Sequence, residues 1–259
     1  PRNGAAHIDA VIRAARLAAE ARINRNQAPR EQIEALLDGD LLAKICQRFD
    51  SGAGIYGRAQ QWQPMTDPQR IGRREHTTSL SVGDVEGNLV CITQSLGSIY
   101  GSGVVIPGTG ICMNNFLNWG DLDPVSPNHL RPGGRLSMCL APTVTVQEDE
   151  PVLALGTPGS YGILHTQVQA LVQYFDYGMP LQQAVEAPRV RLWDSNLVHA
   201  EDRLGASVVA DLMARGHAVS TIAPWTRVVG GIQAVSRDPA NGTLIGAADP
   251  RRDGYAAAP

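Results

Sequence analysis

His76-Thr77-Thr78-Ser79-Leu80-Ser81-Val82-Gly83-Asp84-Val85-Glu86-Gly87-Asn88-Leu89-Val90-Cys91-Ile92-Thr93-Gln94 is the stretch that decides the fold. Thr78, Leu80 and Val82 alternate with Ser79 and Ser81, which is the period of two that a strand with one buried face requires. Asp84 to Asn88 is a turn, and Leu89 to Gln94 is a second β-rich run, so the segment predicts a β-hairpin. Upstream the pattern is helical. Ile8, Val11, Ile12, Ala15, Ala18 and Ala19 recur near helical spacing over residues 8–21, followed by shorter helices over 30–37 and 41–48, with Gly39-Asp40 between them. Residues 50–74, rich in Gly, Arg, Gln, Pro and Asp, carry no periodicity and read as an exposed loop or linker.

Downstream, strands are expected at 103–106, 111–114, 142–147 and 152–155, and a long Pro, Asp, Asn and Gly loop over 118–134 is of the kind that lines a site. Helices are expected over 161–174 and 181–187. The tail reads strand 197–199, helix 205–215, and strands 218–222, 232–236 and 243–247. Hairpins alternating with helices in blocks predict an α+β fold of antiparallel sheets covered by helices, in place of a doubly wound parallel sheet.

The composition narrows the class. The chain has 259 residues, 43% hydrophobic and 18% charged, with a formal net charge of -3. It can bury a core and is neither disordered nor collagen-like. Nothing in this balance favours nucleic acid or an anionic membrane as a partner. No apolar run reaches the ~18 residues that a spanning helix needs, and Pro1-Arg2-Asn3-Gly4 leads into a helix without an apolar leader. A start as if in mid-protein, without Met, reads as a piece of a longer precursor, its compartment open with an inclination toward the cytoplasm. Cys46, Cys91, Cys112 and Cys139 lack metal-ligand spacing and are expected as buried free thiols; no metal and no cofactor are expected.

Two places could carry chemistry. Thr77 at the start of a strand is by itself an ordinary β-branched residue. If the bond before it were cut, its hydroxyl would sit beside a free α-amino group of unperturbed pKa about 7.7–8.0, and one residue would supply both nucleophile and base. The uncut hydroxyl could also attack the His76 carbonyl in an N-to-O acyl shift. The second place is Leu155-Gly156-Thr157-Pro158-Gly159-Ser160-Tyr161-Gly162, which runs from a strand into a helix. It reads as a tight turn, as an oxyanion hole built from the Gly159 and Ser160 N–H groups, or, without the Lys-Ser/Thr pair of a Walker motif, as a weak phosphate loop.

An ordered set of motifs resembles the small subunit of the γ-glutamyltranspeptidases from Thr77 to about Tyr255. It comprises Thr77 to Val82, Gly87-Asn88, Gly101 to Ile111, Asn114-Asn115, Ala141-Pro142-Thr143, Gly156 to Gly159, Asp176 to Met179, Glu186 to Arg189 and Gly246 to Arg251. The helices before it resemble the end of that family's large subunit, so the chain divides into a large-subunit-like part, 1–76, and a small-subunit-like catalytic part, 77–259. The resemblance implies a four-layer αββα N-terminal nucleophile hydrolase sandwich made active by self-cleavage. It implies Thr77 as nucleophile, Thr78 as the second Thr of the pair, Ser95 as the hydroxyl beside the nucleophile, and Gly159 and Ser160 as the oxyanion donors. It also implies a segment upstream of this chain as a partner, with a small amide as substrate and water or an amine as acceptor.

The substrate pocket departs from the family pattern. Phe116 and Trp119 stand where the family places an acidic or amide residue and an Asp for the γ-glutamyl amino group. Met138-Cys139 replaces the serines for the α-carboxylate, and Gly97 stands where an Asn often contacts substrate; Asn115, in the Asn-Asn pair that keeps the family pattern, is expected among the substrate contacts. Such a pocket should accept an apolar acyl group more cheaply than a zwitterionic glutamyl head. His129 and His165 read as structural. The alternative to an enzyme is a non-catalytic ligand-binding protein that uses the loop around Phe116 and Trp119.

Overall fold

The computed structural model describes residues 2–23, 28–51, 76–126, 128–136, 138–193 and 196–258. The expected linker falls almost wholly outside them. The chain opens with α1 (Ala5–Ile23), α2 (Arg30–Glu34), which tightens into a 3₁₀ turn at Ala35–Leu37, and α3 (Gly39–Ser51). The hairpin follows as β1 (His76–Gly83) and β2 (Leu89–Gly97). Next come β3 (Thr143–Gln147), β4 (Glu150–Gly156), α4 (Gly162–Leu171, continued by a π-helical turn at Val172–Asp176) and α5 (Leu181–Glu186). The tail holds β5 (Val190–Leu192), β6 (Leu197–Glu201), α6 (Ala206–Ala214), β7 (Ala218–Ile222), β8 (Gln233–Arg237) and β9 (Leu244–Ala248).

An antiparallel sheet of order β3-β4-β8-β9 forms the centre. Val152, Leu153 and Leu155 of β4 join Ile232, Ala234 and Ala247 and pack against Ala170, Leu181 and Val185 of α4 and α5. A second core gathers Ile8 and Ile12 of α1, Val190 and Val198 of the sheet β5-β6-β7, and Leu204 and Leu212 beside α6. These layers bear out the α+β reading, with one difference. β6 and β7 pair in parallel across α6, because a strand, a helix and a strand close in sequence close most readily as a crossover.

The hairpin lies on the other face of the central sheet, and its two rows are placed opposite to the naive expectation. Ser79, Ser81 and Thr93 turn toward the sheet: the Ser81 hydroxyl donates to the Gln233 carbonyl at 3.0 Å, and Ser79 shares a 3.2 Å hydrogen bond with Thr93. Gly156 of β4 is hydrogen only where Ser79, Thr93 and Cys91 crowd it; a side chain there would collide with them. The apolar row faces outward: Leu80 is 41% exposed, Val82 54%, Val90 49% and Ile92 43%.

Two further expectations are corrected. Residues 103–106 and 111–114 form no strand: they meet only in a single bridge, Val105 to Cys112, because Gly101, Gly103, Gly108 and Gly110 all take positive φ and keep bending the chain. Of the four thiols, all free, only Cys139 is buried; Cys46 is exposed and Cys91 and Cys112 are partly so. No described helix is long and apolar enough to cross a membrane.

Candidate active site

The strand pairing breaks register at one point. His76 pairs with Gly97 but Thr77 pairs with Ser95, so Leu96 is an extra residue opposite the 76–77 peptide bond. The Ser95 hydroxyl donates to the His76 carbonyl oxygen at 3.0 Å and accepts from the Gly97 N–H at 3.0 Å. A hydroxyl has one proton, and with the Gly97 N–H donating to its oxygen that proton goes to the His76 carbonyl and polarises the carbonyl carbon beside Thr77.

The turn after β4 supplies the opposite kind of group. Thr157 to Ser160 are all buried. Gly159 has φ 135° and Ser160 φ 53°, so the chain passes through two conformations that L side chains avoid before entering α4. The carbonyls of Gly159 and Ser160 accept from Gly162 and Ile163 at 3.0 and 2.9 Å, whereas among the described residues their own N–H groups have no acceptor. Buried backbone N–H groups without partners are rare, and two in succession form a ready site for an oxyanion. Ser79, two residues beyond Thr77 on β1, touches Gly156 at the end of β4, which brings the start of the hairpin to the side of this turn.

An aromatic wall adjoins them. Asn115 is fixed at the end of β2, its N–H on the Leu96 carbonyl at 2.9 Å and its side-chain amide on the Ser98 hydroxyl at 2.7 Å. Its amide oxygen occupies the space that a side chain on Gly97 would need, so an Asn at 97 is excluded while Asn115 stays. The following 3₁₀ turn, Phe116–Trp119, sets Phe116 edge-on to Trp119 at 5.4 Å, and Trp119 lies 5.6 Å from Tyr161. Arg22 of α1 sits 4.9 Å over the Tyr161 ring. Burial raises the Tyr161 phenol above its ordinary value, against the opposing pull of Arg22 and with Cys139 adding to the rise.

The structure therefore gathers Thr77, Ser95 and Gly97 at one strand end, links Gly97, Asn115, Phe116 and Trp119 in sequence, and joins that wall through Tyr161 to the adjoining Ser160 and Gly159 of the turn, while Cys139 is buried. Thr78 is placed apart, on the exposed outer row of the hairpin opposite Gln94. Met138 is also partly exposed, at 39%. His165 on α4 is pushed down to about 4 by burial and by the charges of Arg191 and Arg22, so it stays neutral near neutral pH.

A match to the family model described as gamma-glutamyltranspeptidase runs over residues 2–259. The chain belongs to the γ-glutamyltranspeptidase family. It is 39% identical over 184 residues to the acylase ACY 1 proenzyme of Pseudomonas sp. (strain V22), a match covering 71% of this chain and 32% of that protein. It is 31% identical over 209 residues to the glutathione hydrolase proenzyme of Bacillus subtilis (strain 168), covering 81% of this chain and 34% of that protein. The chain thus spans about a third of these relatives' length. Among solved structures, γ-glutamyltranspeptidase from Pseudomonas nitroreducens complexed with L-DON aligns with TM-score 0.61 at 28% identity, over 70% of this chain and 98% of that one. Cephalosporin acylase from Bacillus halodurans aligns with TM-score 0.68 at 25% identity, over 98% of this chain and 49% of that one.

Within this γ-glutamyltranspeptidase-family chain, Tyr161 and Arg22 join the site although no motif singles them out. Tyr161 directly follows the glycine turn, and its place at a helix start was the available signal. Arg22 offered none, because only the packing of α1 brings it near.

Proposed function

We propose that this chain carries the catalytic centre of a self-cleaving amidohydrolase or acyltransferase that works through an acyl-Thr77 intermediate. The observation that carries the reading is the Ser95 hydroxyl on the carbonyl of the one peptide bond that lies across the register break. In the uncut chain Thr77 Oγ attacks the His76 carbonyl carbon and Ser95 steadies the developing oxyanion. The C–N bond breaks, its electron pair takes the hydroxyl proton, and an ester joins His76 to Thr77 Oγ. Water then splits the ester, leaving a His76 carboxylate and a free α-amino group on Thr77.

In the mature centre that amine accepts the Thr77 hydroxyl proton as Oγ attacks a substrate amide, the Gly159 and Ser160 N–H groups receive the oxyanion, and the proton passes to the leaving amine. Water or an amine resolves the ester. The wall of Phe116, Trp119 and Tyr161 favours an apolar or aromatic acyl group over a γ-glutamyl head, in keeping with the acylase among the relatives. The part before Thr77 acts as the end of the large subunit and the part after it as the small subunit. The exposed row of Leu80, Val82, Val90 and Ile92 supports a packing partner there from a segment upstream in the complete protein.

A denaturing gel with N-terminal sequencing tests this directly. A fragment beginning at Thr77 is expected from active protein, and Thr77→Ala is expected to stay uncut and inactive. A single intact chain in protein that binds a small ligand without turning it over would favour the non-catalytic reading.

A further inference from the structure

We propose that Thr157 is a positioning residue whose hydroxyl fixes the orientation of the Pro158–Gly159 peptide and so aims the Gly159 N–H at the oxyanion. Thr157 is 0% exposed. Its hydroxyl donates to the Pro158 carbonyl at 2.9 Å and accepts from the Gly231 N–H at 2.9 Å. A hydroxyl has one proton; with Gly231 already donating to the oxygen, that proton goes to Pro158. None of the described peptide bonds is cis, and in a trans peptide the C=O and N–H point opposite ways. Holding the Pro158 carbonyl against Thr157 therefore turns the Gly159 N–H outward, away from Thr157.

The clamp has something to resist. Rotating a single peptide plane changes ψ of the residue before it and φ of the residue after it, and leaves the chain path nearly unchanged. Gly159, at φ 135°, is free of the Cβ that would oppose such a rotation. In the flipped state a carbonyl dipole would face the developing negative charge where the N–H should stand. The other jaw is rigid. The Val229 carbonyl accepts from the Thr166 hydroxyl at 2.9 Å and from Arg189 Nη1 at 3.1 Å, and the Ile232 N–H donates to Asp249 Oδ2 at 3.0 Å. Gly231 is thus held on both sides, and the buried Arg189–Asp249 pair (2.7 Å) stands behind it. Gly230, at φ 97°, leaves no room to spare, since a Cβ there would lie 2.9 Å from Thr157 Oγ1.

This inference rests on the acyl-Thr77 reading, and it separates two reactions of that one nucleophile. Self-cleavage uses the Ser95 hydroxyl on the His76 carbonyl, whereas turnover uses the turn. Thr157→Val keeps the shape and removes the hydroxyl. In the complete protein, Thr157→Val is expected to mature at the wild-type rate and then to hydrolyse acyl p-nitroanilides (γ-glutamyl and phenylacetyl) with kcat lowered on the order of 100-fold and KM changed by less than about threefold. Thr157→Ser is expected to restore most of kcat, and, should the valine variant be recovered unfolded, Thr157→Ala is expected to show the same fall in kcat on the order of 100-fold with KM little changed. Wild-type kcat in Thr157→Val or Thr157→Ala, a serine variant as slow as valine, or loss of maturation together with kcat would overturn the clamp. Activity in Thr77→Ala, or no hydrolysis of either anilide by cleaved wild-type protein, would instead remove the nucleophile reading beneath it.

Discussion

The turn after β4 and the hairpin β1–β2 touch where Ser79 crowds Gly156, but they are held by different means. Every residue from Val152 to Ser160 is buried, and the turn is backed by the loop at 229–232 and by a closed set of charges. Arg189 pairs with Asp249 at 2.7 Å, Arg251 pairs with Asp249 at 3.1 Å and with Glu201 at 2.6 Å, and Glu201 also accepts from the Arg189 and Trp225 N–H groups at 3.0 Å. The hairpin has one face on the central sheet through serines and threonines and the other uncovered. The contrast suits the proposed chemistry: donors that must not move at each turnover stand on the packed side, and the strand that must be cut and rearranged stands on the open side.

The largest expected effect tests the packed side. Burial alone would raise the Asp249 carboxyl, but Arg189, Arg251 and the N–H groups of Arg251 and Ile232 hold it below its ordinary value. A depressed carboxylate contributes stability that is present above the unfolded value near 3.8 and is lost as pH falls through the lower folded value. Asp249→Asn leaves two guanidinium groups buried with one partner fewer, and a loss of about 3–5 kcal/mol in urea unfolding at pH 7 is expected. If that loss stays below about 1 kcal/mol, the two regions do not differ in the way described.

Next in size is the hairpin side. Ser95→Ala removes the donor on the His76 carbonyl, and cleavage before Thr77, followed on denaturing gels, is expected to slow on the order of 100-fold with little change in melting temperature. Ser95→Thr keeps the hydroxyl and is expected to cleave at a rate near that of the wild type. Equal cleavage in the alanine variant would leave the 3.0 Å contact as a strand-end hydrogen bond only.

The same contrast marks what could be read from sequence. The alternation over 78–82 and 89–94 gave the hairpin, and the order of motifs gave the layers and the family. Which row of the hairpin would face the sheet could not be read, because period two separates the rows without saying what lies beyond either. Gly103 to Asn114 looked like strands by its valines and isoleucines, yet the glycines decide its path. Thr157 was invisible as a clamp because its second partner, Gly231, is distant in sequence and becomes a neighbour only when β8 is laid beside β4. Phe116 and Trp119 stand out in the sequence as departures from the family pattern and Asn115 as part of it; that they form a continuous wall with Tyr161 required the fold.

The smallest effect sharpens the boundary between the regions. His165 lies on α4 one turn beyond the turn at Gly159–Ser160, and burial, Arg191 and Arg22 push its imidazole down from 6.5 to about 4. Between these values the unfolded chain binds a proton that the folded chain refuses, so this residue's contribution to stability is complete above pH 6.5 and declines as pH falls toward 4, by about 1.4 kcal/mol per pH unit over that window. His7, His199 and His217 are also lowered and add to the same slope. His165→Gln removes only the first contribution. Urea unfolding at pH 7 and pH 5 should therefore show a smaller difference in the variant than in the wild type, while cleavage before Thr77 is unaffected. An unchanged pH slope would mean that solvent reaches His165, and the packed region would then end at Ser160 instead of running on into α4.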